Sequence, residues 1–217
     1  MLYAFLVATI LIALAELGDK TQLLALVLAT RFKVWQVLIG IFVATLAIHL
    51  LSVAVGATVG RFIPQTVLSW GSALLFVGFG IWTLRGEDEH EEDEAGSRAS
   101  DFGPILTVAV AFFVAELGDK TQIMTMAIAA DPAAALRTFG GFARSLVPTG
   151  FAAPTGAAAF LGVWLGSVAG MMLADGIAIL VGAVLGRKLP EQLITRISGV
   201  AFILFGVAMV VGPYLVR

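Results

Sequence analysis

Cysteine is absent from this sequence, and histidine occurs only at His49 and His90. The first absence excludes disulfides, zinc–thiolate sites, iron–sulfur clusters and thiol nucleophiles. The second leaves no material for a histidine-rich metal cage. Charge is scarce as well. Charged residues make up 13% of the 217 positions, against roughly 25% in soluble globular chains. The net charge is −2 and the isoelectric point is near 5.6. No basic surface is available, so nucleic acid is excluded as a partner. In place of charge there is apolar surface: 59% of residues are hydrophobic, and the mean hydropathy is +1.00. The partner that this composition implies is a lipid bilayer.

A membrane span needs ~20 mainly apolar residues, and six segments qualify. They cover about 2–30, 34–59, 67–84, 102–130, 158–185 and 197–215. The first is not read as a cleaved leader, although Ala13-Leu14-Ala15 resembles a signal-peptidase site. No Lys or Arg precedes the apolar run, so the basic region of a leader is missing. Pro64 and Pro190 end the second and fifth segments, since proline cannot continue a helix. The acidic run Glu87–Glu94 reads as a solvated linker. Glycines at 162, 166 and 170 recur every four residues, a spacing that lets membrane helices approach closely. Trp35, Trp70, Trp82 and Trp164 read as interfacial anchors.

The octapeptide Ala-Glu-Leu-Gly-Asp-Lys-Thr-Gln occurs twice, at 15–22 and at 115–122. Repetition at this length marks an internal duplication. The halves align further: His49 and Asp175 each lie twelve residues before Gly60-Arg61 or its match Gly186-Arg187. Residues 1–86 thus form a first repeat, 87–101 a linker, and 102–217 a second repeat carrying an insert at 131–160. Three spans per repeat is an odd number, so the second repeat enters the membrane from the opposite side. The expected fold is an all-α integral membrane protein of six transmembrane helices, arranged as two inverted three-helix repeats. Lys and Arg divide seven to four between the two sides, which places both termini outside.

Both octapeptides put charges inside otherwise apolar spans. Such charges are costly and mark ion paths or binding sites. Glu16 and Asp19 are spaced i, i+3, which predicts one shared helical face, and Lys20 follows Glu16 at i+4 in the favourable acid-first order. Glu116, Asp119 and Lys120 repeat that pattern. Thr21, Gln22, Thr121 and Gln122 add neutral oxygens. Each copy carries two carboxylates and one ammonium, a formal charge of −1. Two copies facing each other carry −2, which one divalent cation or two protons would neutralise. Oxygen donors suit hard cations such as Ca²⁺, Mn²⁺ and Mg²⁺. His49 reads first as a polar packing residue and second as a nitrogen ligand that would favour Mn²⁺. Asp175 reads equally as a proton relay or ligand and as a helix–helix hydrogen-bond partner.

The pattern Glu-x-Gly-Asp-Lys-Thr, present twice in a small six-span chain with an acidic central loop, resembles the Gdt-type Ca²⁺/Mn²⁺:H⁺ antiporter family. The resemblance covers the chain apart from the insert at 131–160, and it is strongest to compact bacterial manganese exporters. It implies that Glu16, Asp19, Glu116 and Asp119 bind the cation. It also implies exchange for protons across a bacterial inner membrane, with no resident cofactor and no enzymatic activity. Two other functions fit the residues less well. An exporter of another small solute, such as an amino acid, would use the acids to grip an amine. An intramembrane aspartyl protease would use the two Gly-Asp pairs, but it would leave both glutamates and both lysines without a role.

Overall fold

In the computed structural model, residues 1–17, 19–85, 103–135, 138, 155–185 and 191–215 are described. Among them all regular structure is helical. The helices are α1 (Leu2–Glu16), α2 (Lys20–Arg31), α3 (Val34–Phe62), α4 (Gln65–Arg85), α5 (Pro104–Glu116), α6 (Lys120–Ala130), α7 (Gly156–Leu185) and α8 (Glu191–Leu215). The first and fourth apolar segments are each broken at the octapeptide. The second runs three residues beyond its expected end, stopping where Ile63 turns extended (φ −104°, ψ 132°). That is the conformation imposed on a residue before proline. The last helix starts six residues earlier than its hydropathy implies, at Glu191, an acid well suited to a helix N-terminus. The acidic run Glu87–Glu94, the 87–101 linker and the Arg187–Pro190 turn lie outside the described residues, as does most of the 131–160 insert. Of that insert, 132–135 form a helical turn.

Two helices, α3 and the 156–182 stretch of α7, are long and apolar enough to cross a membrane. They pack against each other at the centre. The broken helices flank them: α5 and α6 lie on α3, and α1 and α2 lie on α7, while α4 packs on α8. Large apolar side chains such as Leu74, Val114 and Leu180 point outward. Apolar surface on this scale suits contact with another apolar phase. Three of the four tryptophans are half-exposed, but Trp164 is not free to anchor an interface. Its Nε1 donates to the Leu46 carbonyl of α3 at 3.0 Å.

Small residues set the helix spacing. A Cβ built on Gly166 would collide with the Phe5 carbonyl and Ala8 of α1, and one on Gly40 would meet Val108 at 2.6 Å and the Ile105 carbonyl of α5 at 2.8 Å. Gly162 and Gly170 receive α1 in the same way. Gly56 abuts Met126 and Gly182 abuts Leu26; Gly80 meets the Gly199 carbonyl and Gly206 the Ala73 carbonyl. The contacts come in matched pairs. Positions 5 and 8 against 166 correspond to 105 and 108 against 40, and the other pairs obey the same offsets.

Because backbone meets backbone at Gly166 and Gly40, alanine at either position has to push two helices apart. Gly166→Ala and Gly40→Ala should each cost about 1–3 kcal/mol, the usual penalty of overpacking. Gly71→Ala and Gly78→Ala meet nothing within 4 Å and should leave stability unchanged or slightly raised. Thermal unfolding in detergent micelles checks the contrast. Equal midpoints across the four variants would contradict the packing argument.

Candidate metal centre

The peptide backbone builds the site by stopping two helices early. In the second half, α5 ends at Glu116 and Leu117 is extended (φ −69°, ψ 112°). Gly118 then adopts φ +86°, a left-handed conformation open to glycine at little cost. Asp119 caps α6, accepting from the Thr121 amide at 3.4 Å, with the Thr121 hydroxyl 3.3 Å away. Gln122 reaches back and accepts the Gly118 amide at 2.6 Å. In the first half, α1 ends at Glu16, Leu17 is again extended (φ −62°, ψ 118°), and α2 begins at Lys20. In both halves the aspartate amide donates to the glutamate carbonyl, at 3.1 Å for Asp19 and 3.2 Å for Asp119.

This break overturns the expected i, i+3 geometry. Glu16 and Asp19 end one helix and precede the next, so they share no continuous helical face. The same holds for Glu116 and Asp119. The i, i+4 pairing of glutamate with lysine fails for the same reason. Lys120 instead crosses to the other half, where its Nζ lies 3.1 Å from Asp19 Oδ1, and both side chains are almost wholly buried. The Lys20 side chain lies outside the described residues.

The two copies meet. Carboxylate oxygens of Glu16, Glu116 and Asp119 all lie within 4.8 Å of one another. Thr21 donates to Glu16 Oε2 at 3.1 Å, and Thr121 donates to Glu116 Oε2 at 3.2 Å. The Thr21 side chain also reaches Glu116 across the halves. Each glutamate thus has one oxygen held by a hydroxyl, while the other, Oε1, is buried with no hydrogen-bond partner. Gln22 is buried beside its own copy of the motif. Asp175, on α7, is fully buried with neither carboxylate oxygen hydrogen-bonded. It lies within electrostatic range of Asp19, Glu16 and Glu116. Buried polar atoms are rarely left unsatisfied. Such unsatisfied carboxylate oxygens are donors suited to a hard cation or to protons.

His49 is set apart from this group. It is fully buried, and its Nδ1 is 3.1 Å from the Thr125 hydroxyl. Thr125 also contacts Ser167 at 3.4 Å. Sequence reading passed over both hydroxyls, although Thr125 falls one helical turn after Thr121. It also passed over Asp131, a buried acid of structural use. Asp131 accepts from Ser69 at 2.8 Å and from the Ala134 amide at 2.9 Å, fixing the end of α6 against α4.

Comparison with known proteins places the chain. The family described as "Divalent cation/proton antiporter GDT1" matches residues 4–91, 104–160 and 149–215. A provisionally named manganese exporter of Vibrio cholerae is 33% identical over 198 residues, covering 91% of this chain and 85% of its own. A GDT1-like protein of Synechocystis is 29% identical, covering 95% and 96%. GDT1-like protein 5 of Arabidopsis thaliana is 25% identical, covering 92% of each chain. No solved structure matches.

The Asp19–Lys120 pair has a consequence for stability. Removing one partner of a buried ion pair costs about 3–5 kcal/mol. Asp19→Asn should therefore destabilise strongly, and adding Lys120→Met should restore part of the loss. A double-mutant cycle by thermal unfolding in detergent measures the coupling. Additive losses would show that the two side chains do not act together.

Proposed function

Because the chain belongs to the GDT1 family of divalent cation/proton antiporters, we propose that it exports Mn²⁺ from the cytoplasm in exchange for protons. Its relatives are transporters rather than enzymes, so the protease reading is set aside. The name of the Vibrio relative supports manganese over calcium, and the bacterial relatives support an inner-membrane location.

One observation carries the reading. Acids from two segments 100 residues apart converge in an apolar interior, with Glu16, Glu116 and Asp119 in mutual contact range. In this proposal those three and Asp19 hold the metal. Thr21 and Thr121 orient the glutamates, Gln22 and Gln122 brace the helix breaks, Lys20 and Lys120 balance charge, and Asp175 takes part in proton transfer. The metal's two charges match the net −2 of the paired motifs. When the metal leaves, the carboxylates cannot stay ionised without a counterion in a low-dielectric interior. Protons must replace it, and that obligation couples the two fluxes.

The proposed scaffold is six spans in two inverted repeats, 1–86 and 102–217, with both termini outside. The matched glycine contacts support it. So does Thr45, whose hydroxyl lies 3.2 Å from Met171 Sδ. Those two residues are equivalent by the 126-residue offset that relates Pro64 to Pro190, and self-equivalent contacts fall on a two-fold axis. Broken helices meeting near such an axis suit alternating access by rocking of one repeat on the other.

Proteoliposomes with an imposed pH gradient test the proposal. Wild-type vesicles should move Mn²⁺ against protons, one metal for two. Glu16→Gln and Glu116→Gln should each reduce exchange to background while keeping helical content and elution volume. Near-normal exchange in either variant would contradict the shared site. A different stoichiometry would contradict the charge count.

A further inference from the structure

We propose that His49 is a nitrogen ligand on the metal's path, one helical turn from the carboxylate cluster, and that it selects a first-row transition metal over calcium. The inference rests on the antiport reading and adds a residue that the paired motifs do not supply.

The hydrogen bonds engage one ring nitrogen and leave the other open. Nδ1 is 3.1 Å from the Thr125 hydroxyl, which also contacts Ser167 at 3.4 Å. Nε2 is buried with no hydrogen-bond partner, and buried polar atoms are rarely left so. With Thr125 accepting from Nδ1–H, Nε2 presents a lone pair to a metal. Metal-binding histidines are built this way: one ring nitrogen is held by a neighbouring polar group, and the other is left free for the metal.

The placement agrees. Thr125 follows Thr121 by one turn of α6, a rise of about 6 Å, and Thr121 touches Glu116 and Asp119. On α7, Ser167, Met171 and Asp175 recur at every fourth residue, and on α3 Thr45 and His49 do the same. These residues form a polar line through an otherwise apolar helix contact, with Asp175 at one end and His49 at the other. Imidazole suits first-row transition ions, whereas Ca²⁺ takes oxygen ligands.

Two readouts test this. In electron spin-echo spectra of the purified full chain loaded with Mn²⁺ in detergent, the wild type should show ¹⁴N coupling that His49→Gln lacks. In proteoliposomes, His49→Gln should lower the ratio of Mn²⁺ to Ca²⁺ exchange rates by roughly tenfold or more. Thr125→Val should lower it less, and Thr125→Ser should keep it. A wild-type spectrum without nitrogen coupling, or a ratio untouched by His49→Gln, would overturn the proposal. Wild-type vesicles that carry neither ion would sink the antiport reading itself. Vesicles that carry both at an unaltered ratio would sink only this inference.

Discussion

Ionised carboxylates in an apolar interior need a counter-charge, and the surroundings of Glu16 and Glu116 follow from that constraint. The chain brings its own donors to them. A continuous helix could not do so, because its amides are already committed to its own carbonyls. Breaking α1 and α5 at the glutamates starts two new helices whose first turns place Thr21 and Thr121 against the acids. The supply is deliberately short. One oxygen of each glutamate is held, the other is not, and Lys120 answers Asp19 rather than its own glutamate. In the proposed exchange, a site fully satisfied by the protein would have no use for a cation. A site with no donors at all would not hold its acids in place.

Such a cluster needs a close-fitting frame. Lipid offers no hydrophobic drive for one membrane helix to prefer another, so the frame depends on shape. Glycine provides it here: α1 lies against Gly162, Gly166 and Gly170, and α5 lies against Gly40. Both broken helices are thereby pressed onto the long helices α3 and α7, which carry His49 and Asp175. The same surfaces bear on movement. Backbone-to-backbone contacts without protruding side chains resist separation but present few obstacles to sliding. A rocking exchange of access would use that property.

The sequence disclosed those parts of this arrangement that are periodic or repeated. The duplicated octapeptide pointed to Glu16, Asp19, Glu116 and Asp119. The four-residue spacing of Gly162, Gly166 and Gly170 announced a helix contact that the structure contains. What stayed hidden depends on where one segment lies against another. Spacing alone put Glu16 and Asp19 on one helical face, because nothing in i, i+3 spacing tells that α1 stops at Glu16 and a new helix starts at Lys20. The partner of Lys120 lies 101 residues away and could not be read from i, i+4 rules. Thr125 and Ser167 looked like ordinary hydroxyls in apolar helices until the fold set Thr125 against both Ser167 and His49. Trp164 looked interfacial because tryptophan usually is, yet a carbonyl of α3 holds it.

The departures from two-fold symmetry carry the last step. The motifs are identical, so the centre is nearly symmetric, and an exchanger built on it would treat both membrane faces alike. The flanks differ. By the 100- and 126-residue offsets, His49 on α3 corresponds to Asp175 on α7, while Thr125 corresponds to Ala25. One flank therefore holds an imidazole steadied by a hydroxyl, and the other a carboxylate with no hydroxyl to steady it. Such a difference cannot set the direction of net transport, which follows from the gradients alone. On the proposed path it would alter how tightly the metal and the protons are held on the way to each face. A neutral nitrogen donor favours the metal over the proton at ordinary pH more than a buried carboxylate does. In the proposed exchanger, the broken symmetry is where one duplicated motif would acquire two unlike doors.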